Sequence, residues 1–152
     1  MKKLFILSLL LILVACSNNE KDNKLCSKLK FDDINVFKTH TIIQIPDIVK
    51  GKVKGTGSML PTVYPDSIIL YKKPNNENDI CIGDIVYYIG NIDNCDSSWL
   101  KNSSAIIHRV KKIKNDEKGI YYIVNGDNNG LFYDPCKIRF GDIKYVVIGV
   151  LY

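Results

Sequence analysis

From about residue 35 onward, short apolar and β-branched runs alternate with polar turns, and this rhythm predicts strands. The runs cover residues 41–45, 67–71, 84–89, 105–113, 119–125 and 145–151. They are filled by Ile, Val, Tyr and Thr, which suit a pleated, half-buried surface. Beyond the N-terminal segment, no window of about eleven residues keeps a helical period. Residues 72–82 and 90–104 are polar and Asn-rich, so they read as loops. The second is an insertion that carries Cys95 and the single tryptophan, Trp99. No internal repeat is visible. The pattern predicts one mainly β domain over residues 35–152.

The N-terminus follows a different pattern. Lys2 and Lys3 precede an apolar run, residues 4–14, that is too short to span a bilayer comfortably. Leu13-Val14-Ala15-Cys16 then reads as a lipobox, with residues 1–15 a cleaved lipoprotein signal peptide and Cys16 the lipid attachment site. An uncleaved short membrane anchor is the alternative reading. Residues 16–34 are polar and read as a lipidated flexible tether.

Composition adds limits. The chain has 152 residues, enough for one domain with a real core, and its 46% apolar and 24% charged residues are ordinary globular values. The formal net charge is +5, and cleavage after Ala15 would remove Lys2 and Lys3. What remains is mildly basic, compatible with an anionic membrane surface and too weak to imply nucleic acid. With Cys16 given to lipid, Cys26, Cys81, Cys95 and Cys136 can form two disulfides in an exported chain, with the pairing open. The absence of a C-x-x-C and the presence of only two histidines argue against a metal site, and no cofactor is called for.

The candidate chemistry lies in Gly55-Thr56-Gly57-Ser58-Met59-Leu60-Pro61-Thr62. Glycines free the backbone around a hydroxyl, and Pro61 stiffens the exit. Such a turn can present Ser58 Oγ as a nucleophile among backbone N–H groups, although an ordinary Gly/Ser/Pro loop has the same composition. In the run 105–113, Ile106, His108 and Val110 share one strand face, so His108 is either a satisfied core residue or a group turned into a cleft. His40 reads as a surface or strand-edge residue. A turn at residues 115–118 would pair Lys114 with Gly119, set Asn125 opposite His108, and put Asp127 on the histidine's face one diagonal step away. A one-residue slip would undo that placement. Asp127 also suits a plain turn in Asp-Asn-Asn-Gly.

Four segments in order carry a resemblance: G-x-G-S-M-x-P-T at residues 55–62, Gly83-Asp84-Ile85-Val86, Ile107-His108-Arg109-Val110, and Gly126-Asp127-Asn128-Asn129 with Asp134. Together they make roughly residues 50–152 resemble type I signal peptidases, in particular the endoplasmic-reticulum and archaeal type that uses a Ser–His pair. The resemblance implies a β-rich coiled-barrel catalytic domain with loop insertions, and a serine endopeptidase that cleaves exported preproteins or similar extended peptides after small residues. It assigns Ser58 as nucleophile, His108 as general base, Asp134 as the carboxylate that orients it, and Asp127 as a supporting neighbour. The spacing to Asp134 is one residue longer than the family pattern. Thr56 and the Ser58 N–H are the implied oxyanion donors. An apolar edge of Met59, Leu60, Val63 and Tyr64 is expected to face the membrane, on the extracytoplasmic side. Self-cleaving repressor proteases share the serine box, but they use a lysine base and carry a DNA-binding domain, neither of which is visible here. The remaining alternative is an inactive lipoprotein that keeps the fold as a binding module.

Overall fold

The computed structural model describes residue 28, residues 31–89, residue 95 and residues 105–152. The signal segment, Cys16, Cys26, Trp99 and most of the expected tether and inserted loop lie outside the described residues. A 3-10 turn over Phe31–Asp33 leads into the first strand.

The fold is mainly β. Strands β1 (Ile34–Val36) and β2 (Thr41–Ile43) form a small antiparallel hairpin. Six further strands are β3 (Ile48–Lys52), β4 (Ile68–Lys72), β5 (Ile85–Tyr88), β6 (Ile106–Asp116), β7 (Gly119–Asn125) and β8 (Ile143–Leu151). They build one antiparallel sheet in the order β3-β4-β8-β5-β6-β7. Among the described residues this sheet does not close into the expected coiled barrel. β3 pairs on one side only, while the outer side of β7 is met by the 134–138 segment, where Tyr122 and Ile138 form an isolated antiparallel bridge.

Because β5 lies inside the sheet, its side chains alternate between two apolar clusters. Val86 and Tyr88 enter the larger cluster, with Ile106, Val110, Tyr122, Val124, Cys136 and Ile138. Ile85 enters the smaller one with Met59, Val63, Ile69 and Tyr71, and Tyr87 packs against it. Burying each of these large side chains stabilises the fold by roughly 1.5–3 kcal/mol. The larger cluster is also stapled by the Cys95–Cys136 disulfide, and Cys81 is disulfide-bonded as well. Closing a loop across a sequence separation of 41 stabilises the fold by about 4 kcal/mol in the chain-entropy account.

The β6–β7 register differs from the expected one, and this corrects the placement of Asp127. The strands run to Asp116↔Gly119, with only Glu117 and Lys118 between them. The Asp116 carboxylate accepts the Lys118 N–H at 3.0 Å, and Gly119 takes φ 98°, a left-handed conformation that glycine adopts without a Cβ penalty. Arg139 and Lys137 hold the same carboxylate from outside, at 2.7 and 2.9 Å. A bulge between Val110 and Lys112 then shifts the pairing again, so Asn125 faces Arg109 instead of His108. Side chains beyond Asn125 therefore approach the Arg109 face of β6.

Candidate active site

The serine turn is built by local geometry and anchored by packing. Gly57 has φ 82°, which a side chain would resist, and the Leu60 N–H returns to the Gly57 carbonyl at 3.2 Å. Met59 and Val63 are buried at 5% and 3% exposure, pinning the segment into the smaller core. That packing revises the expected apolar edge. Met59 and Val63 are core residues and Leu60 is half-buried, which leaves Tyr64 exposed.

Ser58 Oγ lies 3.2 Å from His108 Nε2. His108 occupies the inward face of β6 between Ile106 and Val110, where it is 4% exposed. Its Nδ1 lies 2.5 Å from Asp134 Oδ2. An ionised carboxylate only accepts, so this contact puts the proton on Nδ1 and leaves the Nε2 lone pair facing the serine hydroxyl. Asp134 is itself buried, and its backbone N–H donates to the Val124 carbonyl at 2.9 Å, which ties its loop to β7. The fold thus brings together Ser58, His108 and Asp134 from three separate segments.

Asp127 sits elsewhere. Its carboxylate accepts from Arg109 Nε at 2.8 Å and Nη2 at 2.6 Å, from Lys111 Nζ at 3.1 Å, and from the Thr62 hydroxyl at 2.7 Å. Burial pushes this carboxyl's pKa up, but the hydrogen bonds from Arg109, Thr62 and Lys111 outweigh it and hold the group well below the usual carboxylate range. Arg109 also donates to the Gly83 carbonyl at 2.7 Å. Asp127 therefore links β6 to the segment just after the serine, and none of these bonds reaches His108.

The rest of the Gly126–Asn129 box supports the serine's backbone. The Asn128 N–H donates to the Ser58 carbonyl at 2.8 Å, and Asn128 Nδ2 donates to the Gly57 carbonyl at 3.2 Å. A Cβ on Gly126 would come within 2.7 Å of the Ser58 carbonyl oxygen, so only glycine allows this approach. Sequence reasoning did not find Tyr88, whose hydroxyl donates to Asp134 Oδ2 at 2.6 Å, nor the roles of Arg109 and Asn128. The signal for Arg109 was its alternation with His108, which pointed it away from the histidine and towards the next charged neighbour on that face.

The Asp127 network makes a prediction about acid. Its folded pKa lies below the unfolded value of about 3.9, so its contribution to stability is complete above that value and is lost as pH falls through the folded one. Asp127→Asn should be less stable than wild type at neutral pH, and the gap should narrow below about pH 4. Urea unfolding midpoints measured across that range check this, and a gap independent of pH would contradict it.

Ser58 and His108 open on a cleft of ≈ 810 Å³, which Val53, Thr56, Met59 and Tyr87 also line. Thr56 thus stands on the same wall as the serine, on the exposed side. Tyr71 and Tyr87, both in this lining, pack edge-on and tilted with Tyr145, with ring centroids 5.7–5.9 Å apart. Burial raises the Tyr71 phenol pKa, and the neighbouring Tyr87 adds to the shift. His40 is remote and exposed, stacked on Phe37 at the tip of the first hairpin. No protein-family model matches the chain, and comparison with curated proteins and with solved structures finds no significant match.

Proposed function

We propose that this chain is a serine endopeptidase that resembles signal peptidases of the Ser–His type and acts on extended peptide segments of exported proteins. The observation that carries the reading is the hydrogen-bonded chain Ser58–His108–Asp134 at the wall of an open cleft. In this reading Ser58 Oγ attacks the scissile carbonyl carbon while His108 Nε2 takes its proton. The imidazolium that forms is stabilised by Asp134 through Nδ1. The carbonyl oxygen becomes an oxyanion, stabilised by the Ser58 N–H and the Thr56 hydroxyl. His108 then returns the proton to the leaving amine, and the peptide bond breaks. Water, deprotonated by the same imidazole, releases the acyl group from Ser58.

The cleft supports a peptide substrate because it is open, is lined by residues 52–59 and 105–108, and combines polar with apolar lining. Its apolar part is formed by Val53, Met59, Val63, Tyr71 and Tyr87, which suits apolar residues beside the scissile bond, and the resemblance implies that these are small. A lipid on Cys16 would hold the domain on the extracytoplasmic face of the membrane, where such segments emerge. The reaction uses protein groups alone.

Incubating the purified chain with peptides that span signal-peptide cleavage regions, and mapping the product termini by mass spectrometry, tests the proposal. Wild type should cut at a defined bond after a small residue, and Ser58→Ala should not. Absence of cleavage across a diverse peptide set would favour the binding-module reading.

A further inference from the structure

The hydroxyl of Tyr88 does work that the reading above does not use. Strand pairing sets Val86 opposite His108 and Tyr88 opposite Ile106, so Tyr88 and His108 share a face as diagonal neighbours. Tyr88 is fully buried in the larger core. Its hydroxyl donates at 2.6 Å to Asp134 Oδ2, the same oxygen that accepts His108 Nδ1–H at 2.5 Å. From this geometry we infer that Tyr88 is a positioning residue, which fixes the Asp134 carboxylate so that the imidazole keeps the tautomer and orientation the serine needs.

The need for such a residue follows from where Asp134 sits. The carboxylate belongs to a loop whose preceding residues, Leu131 and Phe132, are 93% and 84% exposed. One backbone bond to Val124 and the disulfide at Cys136 fix its main chain, but neither fixes the side-chain torsions. Tyr88 reaches it from β5, an interior strand, and is the rigid partner. Burial, together with the Asp134 charge and hydrogen bond, raises the phenol pKa far above its ordinary value, so the hydroxyl stays a donor across the working range. With both donors on one oxygen, rotation of the carboxylate would break two bonds at once.

The inference rests on the peptidase reading for its rate consequence but not for its structural one, and the test separates them. Tyr88→Phe removes one oxygen and keeps the ring in the core. On a cleaved peptide it should lower kcat by about 10-fold and leave KM unchanged. In the substrate-free protein the ¹⁵N resonances of the His108 ring should move from a Nδ1–H pattern towards a mixture of tautomers. A merely structural tyrosine would shift the melting temperature and leave both readouts alone, and that result would overturn the inference. If wild type cleaves no peptide, the peptidase reading falls, while the ring resonances still decide: a change on Tyr88→Phe supports the positioning role and an unchanged pattern refutes it. Should Tyr88→Phe fail to fold, 3-fluorotyrosine at position 88 keeps the hydroxyl, strengthens it as a donor and enlarges the ring only slightly. The His108 Nδ1 proton resonance must then shift, and an unmoved resonance would refute the role.

Discussion

Replacing Ser58 by alanine should lower kcat/KM for peptide cleavage by ~10⁴-fold or more, and His108→Ala should do nearly the same. The serine without its base is a neutral alcohol, and the base without its serine has no bond to make, so each loss removes the same step. The double variant should therefore be little worse than either single one. Folding is a separate question with a separate expectation. Ser58 is only half-buried, so Ser58→Ala should keep its melting temperature. His108 is buried and bonded to Asp134, so His108→Ala leaves a buried carboxylate with one donor fewer and should unfold more easily. His108→Gln, which fills the space and can still donate to Asp134, separates lost chemistry from lost stability. It should be as inactive as the alanine variant while melting closer to wild type.

The two aspartates should fail in different ways. Asp134→Asn keeps the size of the side chain but offers an amide N–H to His108 Nδ1, which selects the tautomer with its proton on Nε2. That tautomer cannot accept from Ser58, so kcat should fall by about 10³–10⁴-fold with KM nearly unchanged. Asp127→Asn breaks a charge-assisted fork with Arg109 and leaves Arg109 and Lys111 without their anion. It should cost about 2 kcal/mol of stability, because the pair is largely but not fully buried. Its effect on kcat should be smaller than that of Asp134→Asn and should arise through Thr62 and the turn that carries Ser58. Urea unfolding and steady-state kinetics on the two variants check both statements, and the reverse ordering of their kcat losses would exchange their roles.

What the sequence made legible and what it hid have physical reasons. The β class follows from alternating Ile, Val and Tyr, and the face shared by Ile106, His108 and Val110 appears in the fold as three buried residues. β3 escaped notice because Ile48–Lys52 interposes Lys50 and Gly51, and it pairs on one side only. Gly51 is there because the Tyr71 ring lies where a Cβ would be, 2.7 Å from its nearest carbon, which no local pattern reveals. The expected register slipped because a bulge adds a residue without any sequence mark, and the hairpin turn closed two residues later than Asn115 suggested. That slip moved Asp127 to the Arg109 face. Ser58, His108 and Asp134 could be named from motif order, but the hydroxyl of Tyr88 could not, because its target depends on how β5 pairs with β6.

The claim that Ser58 is an activated nucleophile can be tested by trapping its acyl intermediate. Wild-type protein mixed with an activated peptide ester and quenched in acid should carry the acyl mass on the fragment that contains Ser58. The adduct should form before steady turnover, be absent from Ser58→Ala, and accumulate far more slowly in His108→Ala. Turnover that persists in Ser58→Ala, or proceeds in wild type with the acyl mass on another residue, would contradict the account.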